Sequence, residues 1–323
     1  MADTTKTLIC PACGKEMEKI SLTVEALEAP VRADRYIAEH SDISRSRLKG
    51  DCTLLVNGKE AKLSKNVSEG DVISLEIAEV KGPEDIEPQK MDLDIIYEDD
   101  NVIVLNKAQG VVVHPAAGNF QGTLVNGLLD YVSGIEEEFD DDTVRPGIVH
   151  RLDKDTSGVI IIAKNPQTHE FLSRQFRDKT TRKTYVAIVR GRLPKKHDTI
   201  DTYIVRDRQN RKKFTVPSGV KGKQAVTEYQ VEKEFGNYTF VSLFPHTGRT
   251  HQLRVHMQHL NAPILGDPVY SRSDSRFPDA TLMLHAASLE IFIPGVETKM
   301  MFCAPVSERF KQVLDQLSAG DRQ

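Results

Sequence analysis

The residue types most used in catalysis are concentrated in one stretch, His150-Arg151-Leu152-Asp153-Lys154-Asp155-Thr156-Ser157-Gly158. A run of apolar, mostly β-branched residues follows at once, Val159-Ile160-Ile161-Ile162-Ala163. Such a run is typical of a strand that is buried on both faces. The pattern predicts a polar loop leading into a core strand, and polar groups held on a rigid scaffold are often functional. The alternative is a polar turn that only begins a strand, and composition alone does not decide between the two.

The size and charge of the chain leave several functions open. Its 323 residues suffice for two domains, or for one large and one small domain. With 43 basic and 47 acidic residues, the net charge is −4. This balance argues mildly against a nucleic-acid partner, but phosphate contacts depend on local clusters of Lys and Arg.

The N-terminus, the cysteines and the hydropathy indicate a location. Residues Met1 to Lys6 lack the charged and apolar regions of a secretory signal. The four cysteines do not follow the spacing of a secreted disulfide framework. No apolar run reaches the roughly 18 residues of a membrane span. We therefore expect a reducing, cytoplasmic location and no membrane partner.

The leader, residues 1–21, contains one CxxC pair, Cys10 and Cys13. A structural zinc site needs four ligands, and the sequence has no second CxxC. The pair is therefore a weak candidate for a zinc half-site, and the alternative is a flexible leader without metal. We predict no metal site elsewhere in the chain.

Residues 22–80 resemble a small α/β RNA-binding domain of the S4 type. The segment from Ala33 to Glu39 predicts a helix, Ser44 is a suitable N-cap for a second helix, and Asn57-Gly58 predicts a hairpin turn. The second helix is expected to be short, because the sequence before Leu54 lacks about one helical turn of the S4 pattern. The basic residues expected to bind phosphate are Arg35, Arg45 and Arg47. The alternative is a pair of solvated, charged helices.

Residues 81–92 are charged and contain two prolines, which is typical of an interdomain linker. Residues 93–318 would then form the second and larger domain. A dense basic run in this domain extends from Arg206 to Lys213 and includes Arg208, Arg211 and Lys212. We expect these side chains to bind an RNA backbone, and the alternative is a solvated loop.

Two further blocks contain candidate functional residues. Tyr185 lies in a largely apolar predicted strand, Arg182 to Val189, where a buried tyrosine usually only needs a partner for its hydroxyl. The block from His246 to His256 predicts a helix from about Thr250 to His259. Arg249 at the start of that helix opposes its dipole, at a cost of up to about 1 kcal/mol that a nearby carboxylate would offset.

These blocks, in this order, resemble the RluA-type pseudouridine synthases. The stretch from His150 to Gly158 matches the family's signature motif in full. The resemblance implies that Asp153 is the catalytic aspartate, Tyr185 the active-site tyrosine, and Arg249 the arginine that pairs with Asp153. Arg151 would fill the space left by a uridine flipped out of the RNA. The implied fold is α+β: a mixed, mainly antiparallel sheet with a central cleft, preceded by the S4-like domain.

The resemblance also implies an activity, which is the isomerisation of uridine to pseudouridine within structured RNA. This reaction consumes no cofactor. An S4 domain ahead of a full-length catalytic domain is the arrangement of the synthase D subgroup, so we expect large-subunit rRNA or a ribosomal assembly particle as partner. The alternatives are a transfer-RNA substrate and a non-catalytic S4-type RNA-binding protein.

Other chemistries are less favoured. Four histidines lie close together in sequence (His246, His251, His256 and His259), but the HExxH pattern of a zinc hydrolase is absent. Ser157 lacks the GxSxG context of a serine hydrolase.

Overall fold

A computed structural model describes residues 6–9, 16–27, 29–41, 43, 48, 52–78, 86–115, 121–132, 139, 147–207, 209–210, 212–220 and 222–320. The chain divides into two compact units, Met1–Asp85 and Ile86–Gln323. This division falls within the predicted linker, residues 81–92. Of the helices in the described ranges, none is long and apolar enough to cross a lipid bilayer.

The first unit is built on an antiparallel sheet with the order β1-β2-β7-β4-β5, and β3 pairs with β6. Its elements are β1 (Lys6–Ile9), β2 (Glu16–Thr23), β3 (Val31–Arg32), α1 (Ala33–His40), β4 (Cys52–Val56), β5 (Lys59–Ala61), β6 (Asn66–Val67) and β7 (Val72–Ala78). Tyr36 and Ile37 of α1 are buried against the sheet. The predicted hairpin turn is confirmed, because Asn57 and Gly58 both have positive φ, 54° and 74°. Residues 44–47, where the second helix was predicted to begin, lie outside the described part of the chain.

The second unit is α+β, as predicted. Its elements are β8 (Ile95–Glu98), β9 (Val102–Lys107), α2 (Leu124–Tyr131), β10 (Ser157–Ala163), α3 (Pro166–Arg177), β11 (Arg182–Arg190), β12 (His197–Arg206), β13 (Phe214–Thr215), β14 (Lys223–Phe235), β15 (Tyr238–Pro245), α4 (Gln252–His259), β16 (Leu284–Ile291), β17 (Met300–Cys303) and α5 (Glu308–Gly320). The described strands form one sheet of ten with the order β13-β12-β14-β15-β11-β16-β10-β9-β8, and β17 pairs with β16. Among these described pairings only β10–β16 is parallel.

Strand β10 is the predicted core strand, and all seven of its residues are buried. Alternate residues of a strand point to opposite faces. Val159 and Ile161 therefore share one cluster with Leu172 of α3, whereas Ile160 shares another with Leu128 of α2. Helix α3 begins at Pro166, because the Asn165 side chain caps it by accepting a hydrogen bond from the Thr168 N–H at 2.9 Å.

The pairing of β10, β16 and β11 brings the signature stretch, residues 150–158, close to Tyr185. Gly158 is the register partner of Ala286, and Ala286 is also the register partner of Tyr185. The close approach requires glycine at position 158, which has φ +115°, because a Cβ there would lie 2.6 Å from the Ala286 nitrogen. A register shift between Thr184 and Tyr185 changes the direction of the tyrosine, a common use of bulges beside functional sites.

We expect Gly158→Ala to destabilise the second unit by more than about 3 kcal/mol, because the new Cβ meets backbone that cannot move independently. The measurement is the free energy of unfolding in denaturant. Gly295→Ala is the matched control, since Gly295 also has positive φ but a Cβ there meets nothing within 4 Å. The control should cost only about 1–2 kcal/mol of conformational strain. Equal losses in both variants would contradict the close approach.

Candidate active site

A cavity of about 560 Å³ brings together segments that are distant in sequence. Its wall includes the signature stretch, the end of α3, part of β11 and residues 245–254. Four of the predicted site residues line it, namely Arg151, Asp153, Tyr185 and Arg249. The cavity is therefore the candidate active site.

A buried lysine, Lys107, supports the backbone of the signature stretch, residues 150–158. Lys107 is only 2% exposed, and its ammonium donates hydrogen bonds to the carbonyls of Ala108 at 2.7 Å, Val111 at 2.8 Å and Lys154 at 3.1 Å. Burial lowers the pKa of Lys107 to about 8. All three ammonium donors are used, so the backbone on which Asp153 is mounted is fixed.

Asp153 pairs with Arg254, a residue of α4. The Nη1 of Arg254 lies 3.3 Å from the Oδ2 of Asp153. The other donors of the guanidinium contact Asp267, with Nε 2.7 Å from Oδ2 and Nη2 2.8 Å from Oδ1. The side chain of Asp267 is 0% exposed and that of Arg254 is 4% exposed, whereas that of Asp153 is 22% exposed. Asp267 is thus a structural carboxylate, and Asp153 is the carboxylate that faces the cavity.

The charge of Arg254 is secured by its partners. Burial alone would lower the pKa of the guanidinium, but the hydrogen bonds and charge of Asp267, assisted by Asp153, raise it instead. Asp267 is itself fixed, because its Oδ1 accepts the backbone N–H groups of Val269 at 2.8 Å and Tyr270 at 3.0 Å. Asp153 therefore lies beside a fixed cation whose charge is permanent.

The predicted pairing of Arg249 with Asp153 is wrong. Arg249 instead donates from Nε to the carbonyl of Gln224 at 3.0 Å. Helix α4 begins at Gln252 rather than at Thr250, because His251 is in the left-handed region with φ 56°. Arg249 consequently lies in the turn ahead of the helix, and the arginine in the first turn of the helix is Arg254.

The turn before α4 is fixed by the side-chain amide of Gln252. Its Oε1 accepts from the Thr247 hydroxyl at 2.7 Å and from the Arg249 N–H at 3.0 Å. Its Nε2 donates to the Val226 carbonyl at 3.0 Å and to the Thr227 hydroxyl at 2.9 Å. All four hydrogen-bonding positions of the amide are used, so this wall of the cavity is rigid.

His251 is the second polar neighbour of Asp153, with Nε2 at 3.9 Å from Oδ2. Its Nδ1 lies 2.9 Å from the hydroxyl of Tyr270, which also accepts the Phe214 N–H at 2.8 Å. The hydroxyl proton is therefore assigned to the bond with Nδ1, which leaves the imidazole proton on Nε2, facing Asp153. Burial lowers the pKa of His251 although the charge of Asp153 opposes this, so the ring is a neutral donor rather than a cation.

Tyr185 contributes a partly buried aromatic ring to the cavity. Burial raises the pKa of its hydroxyl, and the negative charge of Asp153 raises it further, so the phenol stays neutral. The ring packs against the cluster that contains Leu152 and Ala286. Such a ring provides a flat surface on which a nucleobase can stack.

Two of the remaining predicted binding residues, Arg35 and Lys212, belong to the described part of the chain and are not among the residues that line the cavity. Arg35 is exposed on α1 and pairs with Glu39 at 2.7 Å, and Lys212 is exposed. The others lie outside the described residues: Arg45, Arg47, Arg208, Arg211, Cys10 and Cys13.

Four residues of the site were not predicted from the sequence to belong to it: Lys183, His251, Arg254 and Asp267. Arg254 had a detectable signal, because a charged residue between Leu253 and Val255 on a short helix needs a buried partner if that face is covered. Lys183 and His251 had none beyond their proximity to Tyr185 and Arg249 in sequence.

We expect Arg254→Gln to destabilise the protein by about 3–5 kcal/mol, because it leaves the Asp267 carboxylate buried without its cation. Arg249→Gln is the matched control and should cost less than about 1 kcal/mol, since it removes one partly exposed bond. Denaturant unfolding of the two variants measures the difference. A larger loss for Arg249→Gln would show that the wrong arginine has been assigned to the ion-pair chain.

Comparison with known proteins agrees with this geometry. The sequence profile of a family described as RNA pseudouridylate synthase matches residues 101–259. The ribosomal large subunit pseudouridine synthase D of Borreliella burgdorferi is 44% identical over 301 residues, covering 91% of this chain and 92% of that protein. An uncharacterised RNA pseudouridine synthase of Bacillus subtilis is 39% identical over 309 residues, covering 93% of this chain and 99% of that protein.

A solved structure supports the same conclusion. Human RNA pseudouridylate synthase domain containing 4 superimposes with a TM-score of 0.56 and 27% sequence identity, covering 70% of this chain and 93% of that one. The fold, the cavity and the similarity over nearly the whole chain establish that this protein belongs to the RNA pseudouridine synthases, a family of isomerases.

Proposed function

We propose that this enzyme isomerises uridines of large-subunit ribosomal RNA, either free or within an assembling ribosomal particle. The observation that carries the catalytic part of the proposal is the Asp153 carboxylate, 3.3 Å from a clamped arginine, in a cavity shared with Tyr185. The choice of RNA is supported by the 44% identity to the relative from Borreliella burgdorferi, whose name specifies the large ribosomal subunit.

The reaction requires no other reactant. The bond between N1 and C1′ of the uridine breaks, the uracil turns, and a new bond joins C5 to C1′. The hydrogen on C5 leaves as a proton and N1 gains one, so substrate and product contain the same atoms. The protein therefore has to supply positioning, charge and proton transfer, which side chains alone can provide.

We assign to Asp153 the role of the carboxylate that acts on the reacting nucleotide. Arg254 orients it, and His251 directs an N–H toward it. Tyr185 stacks with the uracil through its neutral phenol ring. A uridine in folded RNA must first be flipped out, at a cost of a few kcal/mol. Arg151, which is exposed on the cavity wall beside Asp153, would occupy the space that the flipped uridine leaves in the RNA.

The remaining cations bind the RNA around the target in this proposal. Arg249 lies on the cavity wall without a carboxylate partner among the described residues, so we now assign it to the RNA backbone rather than to Asp153. Lys212, together with Arg208 and Arg211, would bind phosphates of the RNA backbone. In the S4-like unit, Arg35 is held only by an exposed ion pair of the kind worth at most about 1 kcal/mol, so a phosphate can replace Glu39. These partners imply a cytoplasmic location.

We expect Asp153→Asn to lower turnover by about 10⁴-fold or more, as loss of an essential reacting group does, while RNA affinity stays near that of the wild type. The assay is tritium release from large-subunit rRNA that carries uridine labelled at C5. Asp155→Asn is the matched control, because Asp155 belongs to the same signature stretch but does not line the cavity. It should retain turnover.

Two results would contradict the proposal. Activity in Asp153→Asn would remove this residue from the reaction. Release from transfer RNA but not from rRNA, with wild-type enzyme, would replace the proposed substrate by the alternative one.

A further inference from the structure

Lys183 is a charged residue of the cavity that has no role in the proposed function. It lies on β11, two residues before Tyr185, and both side chains line the cavity. Lys183 is partly buried, and burial lowers the pKa of its ammonium. The charge is therefore placed where solvent compensates for it poorly.

Among the described residues, no hydrogen bond or ion pair reaches the Lys183 ammonium, and burial is the only influence on its pKa. Two buried cations of the same unit, by contrast, are satisfied. Lys107 has three carbonyl acceptors, and Arg254 has two carboxylates. The ammonium, which reaches the cavity without an acceptor from the described residues, is therefore available to an anionic group of a ligand.

The polar neighbour on this side of the cavity cannot serve as the acceptor. His150 lines the same cavity as Lys183. Burial, assisted by the positive charge of Lys183, lowers the pKa of His150 to about 3, so the imidazole is neutral. The Nε2 of His150 accepts the Ile161 N–H at 3.1 Å, so the ring proton is on Nδ1. His150, stacked on Phe176 with centroids 4.5 Å apart, therefore has no free lone pair for Lys183.

The cavity itself has no spare negative charge. Asp153 is the only carboxylate among its lining residues, and it is paired with Arg254. The end of α3 adds two exposed cations to the same wall, Arg177 and Lys179. This side of the cavity is thus electropositive and suited to an anionic oxygen of a ligand.

We propose that Lys183 binds an anionic oxygen of the target nucleotide when the uridine enters the cavity. The oxygen belongs either to a backbone phosphate beside the uridine or to a uracil carbonyl on which negative charge develops as the N1–C1′ bond breaks. Both sources present the same chemistry to the ammonium. This inference rests on the cavity being the site of the reacting uridine.

The test compares Lys183→Met, which keeps the length of the side chain but removes the charge, with Lys183→Arg, which keeps the charge. The control is Lys311→Met on α5, an exposed lysine outside the cavity lining. For each protein, the RNA dissociation constant is measured at several salt concentrations, and the rate constant is measured in a single turnover by tritium release from the C5-labelled RNA.

A phosphate contact predicts that Lys183→Met weakens binding about tenfold and reduces the salt dependence by about one ion, with the single-turnover rate unchanged. A uracil contact predicts a rate at least about tenfold lower with unchanged binding, because the interaction forms fully only as the charge develops. Either result supports the role, and Lys183→Arg should restore most of the loss in both cases.

The role is overturned if Lys183→Met matches Lys311→Met in both constants. It is also overturned if Lys183→Arg behaves like Lys183→Met and both merely unfold at lower temperature, which would indicate a packing role. Failure of the proposed rRNA substrate is recognised separately, because the wild-type enzyme would then release no tritium from that RNA although the effect of Lys183→Met on binding could still be measured.

Discussion

The site depends on one buried carboxylate, Asp267. It accepts two hydrogen bonds from Arg254, at 2.7 and 2.8 Å, and two more from backbone N–H groups, so its charge is fully compensated without water. A bidentate pair fixes the plane of the guanidinium, which leaves Nη1 directed at Asp153. The orientation of the Asp153 carboxylate is therefore set before RNA arrives, and preorganised charge of this kind needs no rearrangement during a reaction.

The topology of the sheet explains why these groups meet. The parallel pairing of β10 with β16 places the end of the signature stretch one strand away from Ala286, and β11 brings Tyr185 to the other side of the same residue. Gly158 and Ala286 are both small, so the ring of Tyr185 is not crowded out. The groups come from a loop, a strand and a helix, and the strand spacing of about 4.8 Å sets the distance between the β10 and β11 backbones on either side of β16.

The α+β fold and the placement of Asp153 and Tyr185 in one site were expected from the resemblance to the pseudouridine synthases. Sequence patterns alone predicted the core strand β10. They failed at Arg249. An arginine in the first turn of the helix does pair with a carboxylate, as expected, but that arginine is Arg254 rather than Arg249. Periodicity cannot show that His251 adopts a left-handed conformation and delays the helix. It also cannot show that Asp267, from beyond the helix, folds back onto Arg254, because that contact depends on tertiary packing.

The most direct test of this account is the turnover of Asp267→Asn, normalised to its folded fraction and measured together with its RNA dissociation constant. Asp267 does not line the cavity, so it influences the reaction through the groups that it holds, of which Arg254 is the one paired with Asp153. The account predicts that turnover falls about 10²-fold, since misplacement of a catalytic group by about 1 Å has an effect of this size, while RNA binding is unchanged. Wild-type turnover in folded Asp267→Asn would show that Asp153 does not depend on the clamped arginine.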